Sequence, residues 1–167
     1  MNILLFTWVG LLIQVMFFAI LKPIIKDLEI ASIILIGINF LFYIVEITKY
    51  KSDYRSLFLF AYIIRVVAMF WDIYADHIYP LPHSGVDSVR YFYYASLVSS
   101  NLELLKGPIY GSIYTKMLGL IFYITSPQRL IGQYINTLLG TTIIIIVYKI
   151  LDVIEINNRT LKRSIAL

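Results

Sequence analysis

Five long, almost uninterrupted apolar runs constrain this chain more than any other feature. They cover residues 3–21, 30–48, 57–74, 109–125 and 130–151, the last holding Ile143-Ile144-Ile145-Ile146-Val147. A bilayer core about 30 Å thick needs roughly 20 apolar residues at 1.5 Å rise each. Their apolar character is continuous rather than alternating, so they read as helices and not barrel strands. Of the 167 residues 60% are hydrophobic and 14% charged, and mean hydropathy is +0.81. A soluble globule of this length leaves too much of its chain exposed to hide so much apolar surface, which excludes a soluble enzyme, a disordered tail and a fibrous protein. The expectation is an all-α, polytopic membrane protein forming one transmembrane domain over 1–167, located in a cell membrane. The first run lacks a basic leading region and a small-residue cleavage site, so it reads as a mature span rather than a secretory signal.

The links between runs are short except for 76–108, which holds most of the polar chemistry. Its opening, Asp76-His77-Ile78-Tyr79-Pro80-Leu81-Pro82-His83, is kept extended by two prolines. Ser84-Gly85 marks a helix start, and 86–106 is predicted to form an amphipathic helix lying at the water–lipid boundary, stopped by Gly107-Pro108. Tyr91-Phe92-Tyr93-Tyr94 suits that depth, because tyrosine has an apolar body and a polar tip. Counting Lys and Arg outside the spans, an outside N-terminus places eight in the cytoplasm and four outside. The positive-inside rule then puts the long loop in the cytoplasm. With no cysteine, thiolate metal ligation is excluded, and a net charge of +4 bears on topology and anionic lipid heads rather than on nucleic acid.

Arg65 interrupts the third run. A charge inside a span costs about 2.5–3.5 kcal/mol on insertion scales, so it faces protein or a wet cavity. Asp72, seven residues on, shares its helical face, so the two could line one polar track; the alternative is a charge that only locks helix packing. Asp72, Asp76 and Asp87 lie close to one membrane face, where acids also collect simply because helices leave the bilayer there. On the predicted loop helix Asp87 shares a strip with Arg90, Tyr91 and Tyr94. A carboxylate beside a guanidinium able to grip phosphate suits a phospholipid-linked substrate; an aspartate at a helix start is also merely stabilising. Lys116 either snorkels to the interface or neutralises a phosphate. His77 and His83 have no metal-ligand spacing, and no metal is expected. Gly37, Gly119, Gly132 and Gly140 read as close-packing positions.

One resemblance emerges from the order of features. Ser84-Gly85-Val86-Asp87-Ser88-Val89-Arg90-Tyr91-Phe92 is followed by Gly107-Pro108-Ile109-Tyr110-Gly111-Ser112-Ile113-Tyr114, a span, Ser126-Pro127-Gln128-Arg129-Leu130, and then Tyr134-Ile135-Asn136-Thr137-Leu138-Leu139 leading a long span. Residues 57–167 thereby resemble the front of bacterial GT-C glycosyltransferases of the protein-mannosyltransferase-like group, which move a sugar from a polyprenyl-phosphate carrier during cell-envelope glycan assembly. The resemblance implies that Asp87 is the acceptor base and Tyr91 a positioning group. Arg90 and Arg65 become phosphate contacts, with Asp72 and Lys116 as further substrate-binding positions. The implied partners are membrane lipid, the polyprenyl-phosphate sugar donor and a second membrane subunit completing the fold. It also implies an N-terminal portion of a larger or split enzyme, inactive alone, with an extracytoplasmic loop, opposite to the charge count. The reading weighed against it is a non-catalytic polytopic protein, such as a polysaccharide-export or transporter subunit.

Overall fold

The computed structural model describes residues 27–48, 52–75, 77–81 and 86–154, with isolated positions elsewhere. The expected first span falls almost wholly outside these residues, as do Asp76 and His83. The described chain is helical: α1 (Leu28–Thr48), α2 (Ser52–Tyr74), α3 (Val86–Ser100), a 3-10 turn (Leu102–Leu105), α4 (Ser112–Thr125) and α5 (Arg129–Val153). Among the described residues, three segments are long and apolar enough to cross a membrane: Leu28–Val45, Arg55–Tyr74 and Arg129–Leu151.

α1 begins where Asp27 places its side-chain oxygen on the backbone N–H groups of Glu29 (3.0 Å) and Ile30 (3.2 Å), satisfying donors that the first turn leaves free. α2 returns antiparallel to it: Arg55 donates to the Thr48 carbonyl at one end, and Tyr74 donates to Glu29 at the other. α5 is antiparallel to α2, as shown by the contacts Phe58–Tyr148, Tyr62–Tyr134 and Asp72–Arg129. The main core lies along this three-helix seam, around Tyr43, Phe58, Tyr62, Leu138 and Ile145. A 2.7 Å hydrogen bond joins the buried Tyr62 and Tyr134 hydroxyls across this seam, giving each phenol a polar partner in apolar surroundings.

The long loop departs from expectation in two ways. The helix expected over 86–106 ends at Ser100, because Asn101 turns out of the helix and caps the next turn, accepting from the Glu103 N–H at 3.0 Å. The fourth expected span, 109–125, starts only at Ser112 and has 14 residues. At 1.5 Å per residue that is about 21 Å, short of a bilayer core. Its start is set by Gly111, which adopts a left-handed φ of 75° and takes the chain into α4 against the Tyr91 ring. The return of 101–111 carries Tyr110 back to Asp87, so α4 starts beside the beginning of α3 and runs alongside it in the same sense.

The two short helices approach closely because Gly119 has no side chain. A Cβ there would lie 2.5 Å from Val98 Cγ1 and 3.1 Å from the Ala95 carbonyl oxygen. Both Ala95 and Val98 are fully buried, so neither can yield cheaply. Gly119→Leu is expected to prise α3 from α4 and cost about 3 kcal/mol, read as an earlier midpoint in detergent unfolding followed by loss of helicity. Gly132→Ala, where the nearest atoms stand 3.5 Å from the new Cβ, is the matched control and should change little.

Candidate functional site

Four of the residues singled out by sequence come together on α3, joined by one that spacing alone did not single out. Asp87, in the first turn, accepts a hydrogen bond of 2.9 Å from the Tyr110 hydroxyl. Arg90 stands with its guanidinium carbon 5.9 Å from the centre of the Tyr110 ring, within cation–π range. The Tyr91 ring packs between Tyr110 (5.4 Å) and Tyr114 (5.1 Å, edge-on), and Tyr94 stacks on Tyr110 at 5.5 Å. Asp87 and Arg90 are exposed while Tyr91 is half-buried, so the acid and the guanidinium sit on an aromatic footing open to the outside.

Tyr110 is the keystone of this cluster. Donating to the Asp87 carboxylate raises its pKa above the usual 10.0, with the nearby Arg90 guanidinium pulling the other way. The sign follows from the bond: losing the phenolic proton puts a phenolate against a carboxylate, so the neutral form persists to higher pH. The bond is therefore present throughout the neutral range and is lost only as pH rises through the elevated value. In a spectrophotometric titration, the step that Tyr110→Phe removes is expected above pH 10, and Asp87→Ala should move it down; an unmoved step would show that the two groups do not interact.

Behind Tyr91 lies a small hollow between α3, α4 and α5, with about 260 Å³ of space including its open mouth; Tyr91, Phe92, Tyr114, Arg129, Gln133 and Asn136 form much of its wall. Tyr114 donates to Asn136 Oδ1 at 2.6 Å. At helical pitch Arg129, Gln133, Asn136 and Gly140 fall on one stripe of α5. The first three turn a guanidinium and two amides toward one side of an otherwise apolar helix. That heptad-like spacing was present in the sequence; it gained meaning only once α2 and the α3–α4 pair were found on either side of it.

Asp72 meets this stripe at its Arg129 end. It is 5% exposed, and its Oδ2 receives Arg129 Nη2 at 3.1 Å and Gln133 Nε2 at 2.9 Å. Asp72 Oδ1 and Arg129 Nε are buried without hydrogen-bond partners among the described residues. Arg65 and Asp72 thus meet one stripe of α5 at different heights: Asp72 ties the end of α2 to the start of α5, while the Arg65 guanidinium lies against Gly140, where an added Cβ would come within 2.8 Å of Nη1. Lys116 is half-buried on α4 and has no ionic or hydrogen-bond partner among the described residues. Nor do three His, Asp or Glu side chains converge among those residues as a metal site requires. Comparison with protein-family models, curated proteins and solved structures finds no match to this chain.

Proposed function

We propose that this chain is part of a multi-pass membrane glycosyltransferase that takes a sugar from a polyprenyl-phosphate carrier in cell-envelope glycan assembly. The observation that carries the reading is the exposed Asp87–Tyr110–Arg90 cluster at the start of α3. A carboxylate held in place by a phenol can accept the proton of an attacking hydroxyl, and a guanidinium beside it can hold the phosphate that leaves with the lipid. Tyr91 positions the cluster by packing beneath Tyr110. In this reading α3 rests at the lipid–water boundary, with Tyr93 and Leu97 outward on the same helix as Asp87 and Arg90. The test is transfer of labelled sugar from a polyprenyl-phosphate donor by membranes containing the chain with whatever further spans complete it. Transfer that needs Asp87 supports the reading. Transfer that continues undiminished in Asp87→Asn removes it.

A non-catalytic polytopic subunit is the second reading, and one observation favours it. Arg129 and Gln133 both bond to Asp72 across two helices, as groups that hold helices together do. On that reading Asp87→Asn is silent in every sugar-transfer assay, and Asp72 variants fail by losing assembly.

A further inference from the structure

Arg65 poses a problem that the described residues do not solve. It is the eleventh residue of the twenty-residue apolar segment Arg55–Tyr74. That places its Cα about 15 Å from Arg55 and about 10 Å from Asp72 along the helix. Helical side chains tilt toward the N-terminus, so Arg65 leans away from Asp72, whose carboxylate is already taken by Arg129 and Gln133. No hydrogen bond, ion pair or ring contact reaches its guanidinium among the described residues. The guanidinium is only half-buried, lying over Gly140 with exposed Ala68 one turn further along its own helix and exposed Asn136 one turn from Gly140. An uncompensated charge at this depth is costly, and the small, exposed Ala68 beside it leaves room for another helix to approach.

Its counter-charge is not in these spans either. Residues 1–26 contain no Asp or Glu. In the three segments long enough to cross a membrane, the only acids are Glu29 and Asp72, both near an end. A bilayer phosphate lies about 15 Å from the midplane, farther than an arginine side chain extends from a mid-span Cα. A membrane helix has no such limit, since it can place a carboxylate at any depth.

We infer that the groove over Arg65 between α2 and α5 docks a transmembrane helix from outside these 167 residues, one carrying an Asp or Glu near its middle that pairs with the Arg65 guanidinium. The inference stands apart from the glycosyl-transfer reading, because it needs neither Asp87 nor a sugar. It makes α2 and α5 one wall of a larger helical assembly, with Gly140 keeping the floor low enough for the guanidinium to lie flat.

The test places the full chain in phosphatidylcholine vesicles with dye-labelled leucine–alanine spanning peptides bearing a central Glu, Gln or Leu, and reads association by energy transfer. The Glu peptide should associate roughly tenfold more tightly than the Leu peptide. The preference should vanish in Arg65→Leu and survive in Arg65→Lys, with helicity and unfolding midpoint confirming that both variants fold. Gly140→Leu, which displaces the guanidinium, should weaken it. Equal association of the three peptides overturns the inference, as does a Glu preference that persists in Arg65→Leu. Arg65-dependent enrichment of phosphatidic acid around the chain, without a Glu preference, overturns it in favour of a lipid phosphate.

Discussion

Replacing Asp87 with Asn is expected to lower kcat for sugar transfer roughly 100- to 10,000-fold, the range that one positioned proton acceptor contributes. Each tenfold step corresponds to about 1.4 kcal/mol of transition-state stabilisation. The substitution is close to isosteric. Asn Oδ1 still accepts from the Tyr110 hydroxyl, now 2.9 Å from the carboxylate, so α3 and the tyrosine footing should remain as they are. What disappears is a group that can take a proton. The loss should therefore fall in kcat with KM for the lipid-linked donor little changed, the pattern of an interaction made only in the transition state. Arg90→Leu should do the reverse and raise KM, because a guanidinium that grips phosphate binds ground state and transition state alike. Steady-state transfer rates at varied donor concentration separate the two. A rise in KM with kcat unchanged in Asp87→Asn would instead mark the acid as a binding contact.

Asp72→Ala should lower stability by about 3 kcal/mol, within the roughly 3–5 kcal/mol that breaking a buried pair costs. Removing one partner of a buried pair leaves the other charge without compensation. Here it strands Arg129 and also Gln133, both of which donate to the same Asp72 oxygen. Arg129 keeps a side-chain exposure of 32% against 8% for Asp72, so the stranded guanidinium recovers some hydration and the loss stays toward the low end of that range. Asp72→Asn should cost less, since its amide oxygen still accepts from one of the two donors. The double variant Asp72→Ala with Arg129→Leu should regain part of the stability of the single one, because the unpaired charge is gone. Detergent-unfolding midpoints across this cycle measure the coupling. Additive losses would show that the pair contributes nothing beyond its separate residues.

What the sequence made legible follows from periodicity and solvent. Long apolar runs have few structural outcomes in lipid, since every backbone polar group must be satisfied within the segment, and three of the expected spans appear as helices close to their expected bounds. The loop helix was legible at its start but not its end. Asn101 is compatible with a helix interior by pattern, and becomes a stop only when its side chain caps the 3-10 turn. The bounds of the short fourth helix are not legible for a related reason. The apolar count of 109–125 is that of a span, yet Gly111 delays the helix and Gly119 fits it against α3.

The candidate site divides in the same way. Asp87, Arg90 and Tyr91 lie within one helical turn or so of each other, so local spacing brings them together in any helix that forms there. Tyr110, 23 residues from Asp87, joins them only because the chain doubles back along α3. Arg129, Gln133 and Asn136 likewise form a stripe by pitch alone, but only tertiary packing gives that stripe Asp72 on one side and Tyr114 on the other. Arg65 and Asp72 share a face of α2 by pitch, and packing still sends one to Gly140 and the other to Arg129. Sequence determined the helices and which residues share a face of each, because those depend on a fixed rise and turn per residue. The tertiary structure alone decided which faces meet, because that depends on contacts between segments far apart in the chain, whose spacing no local period encodes.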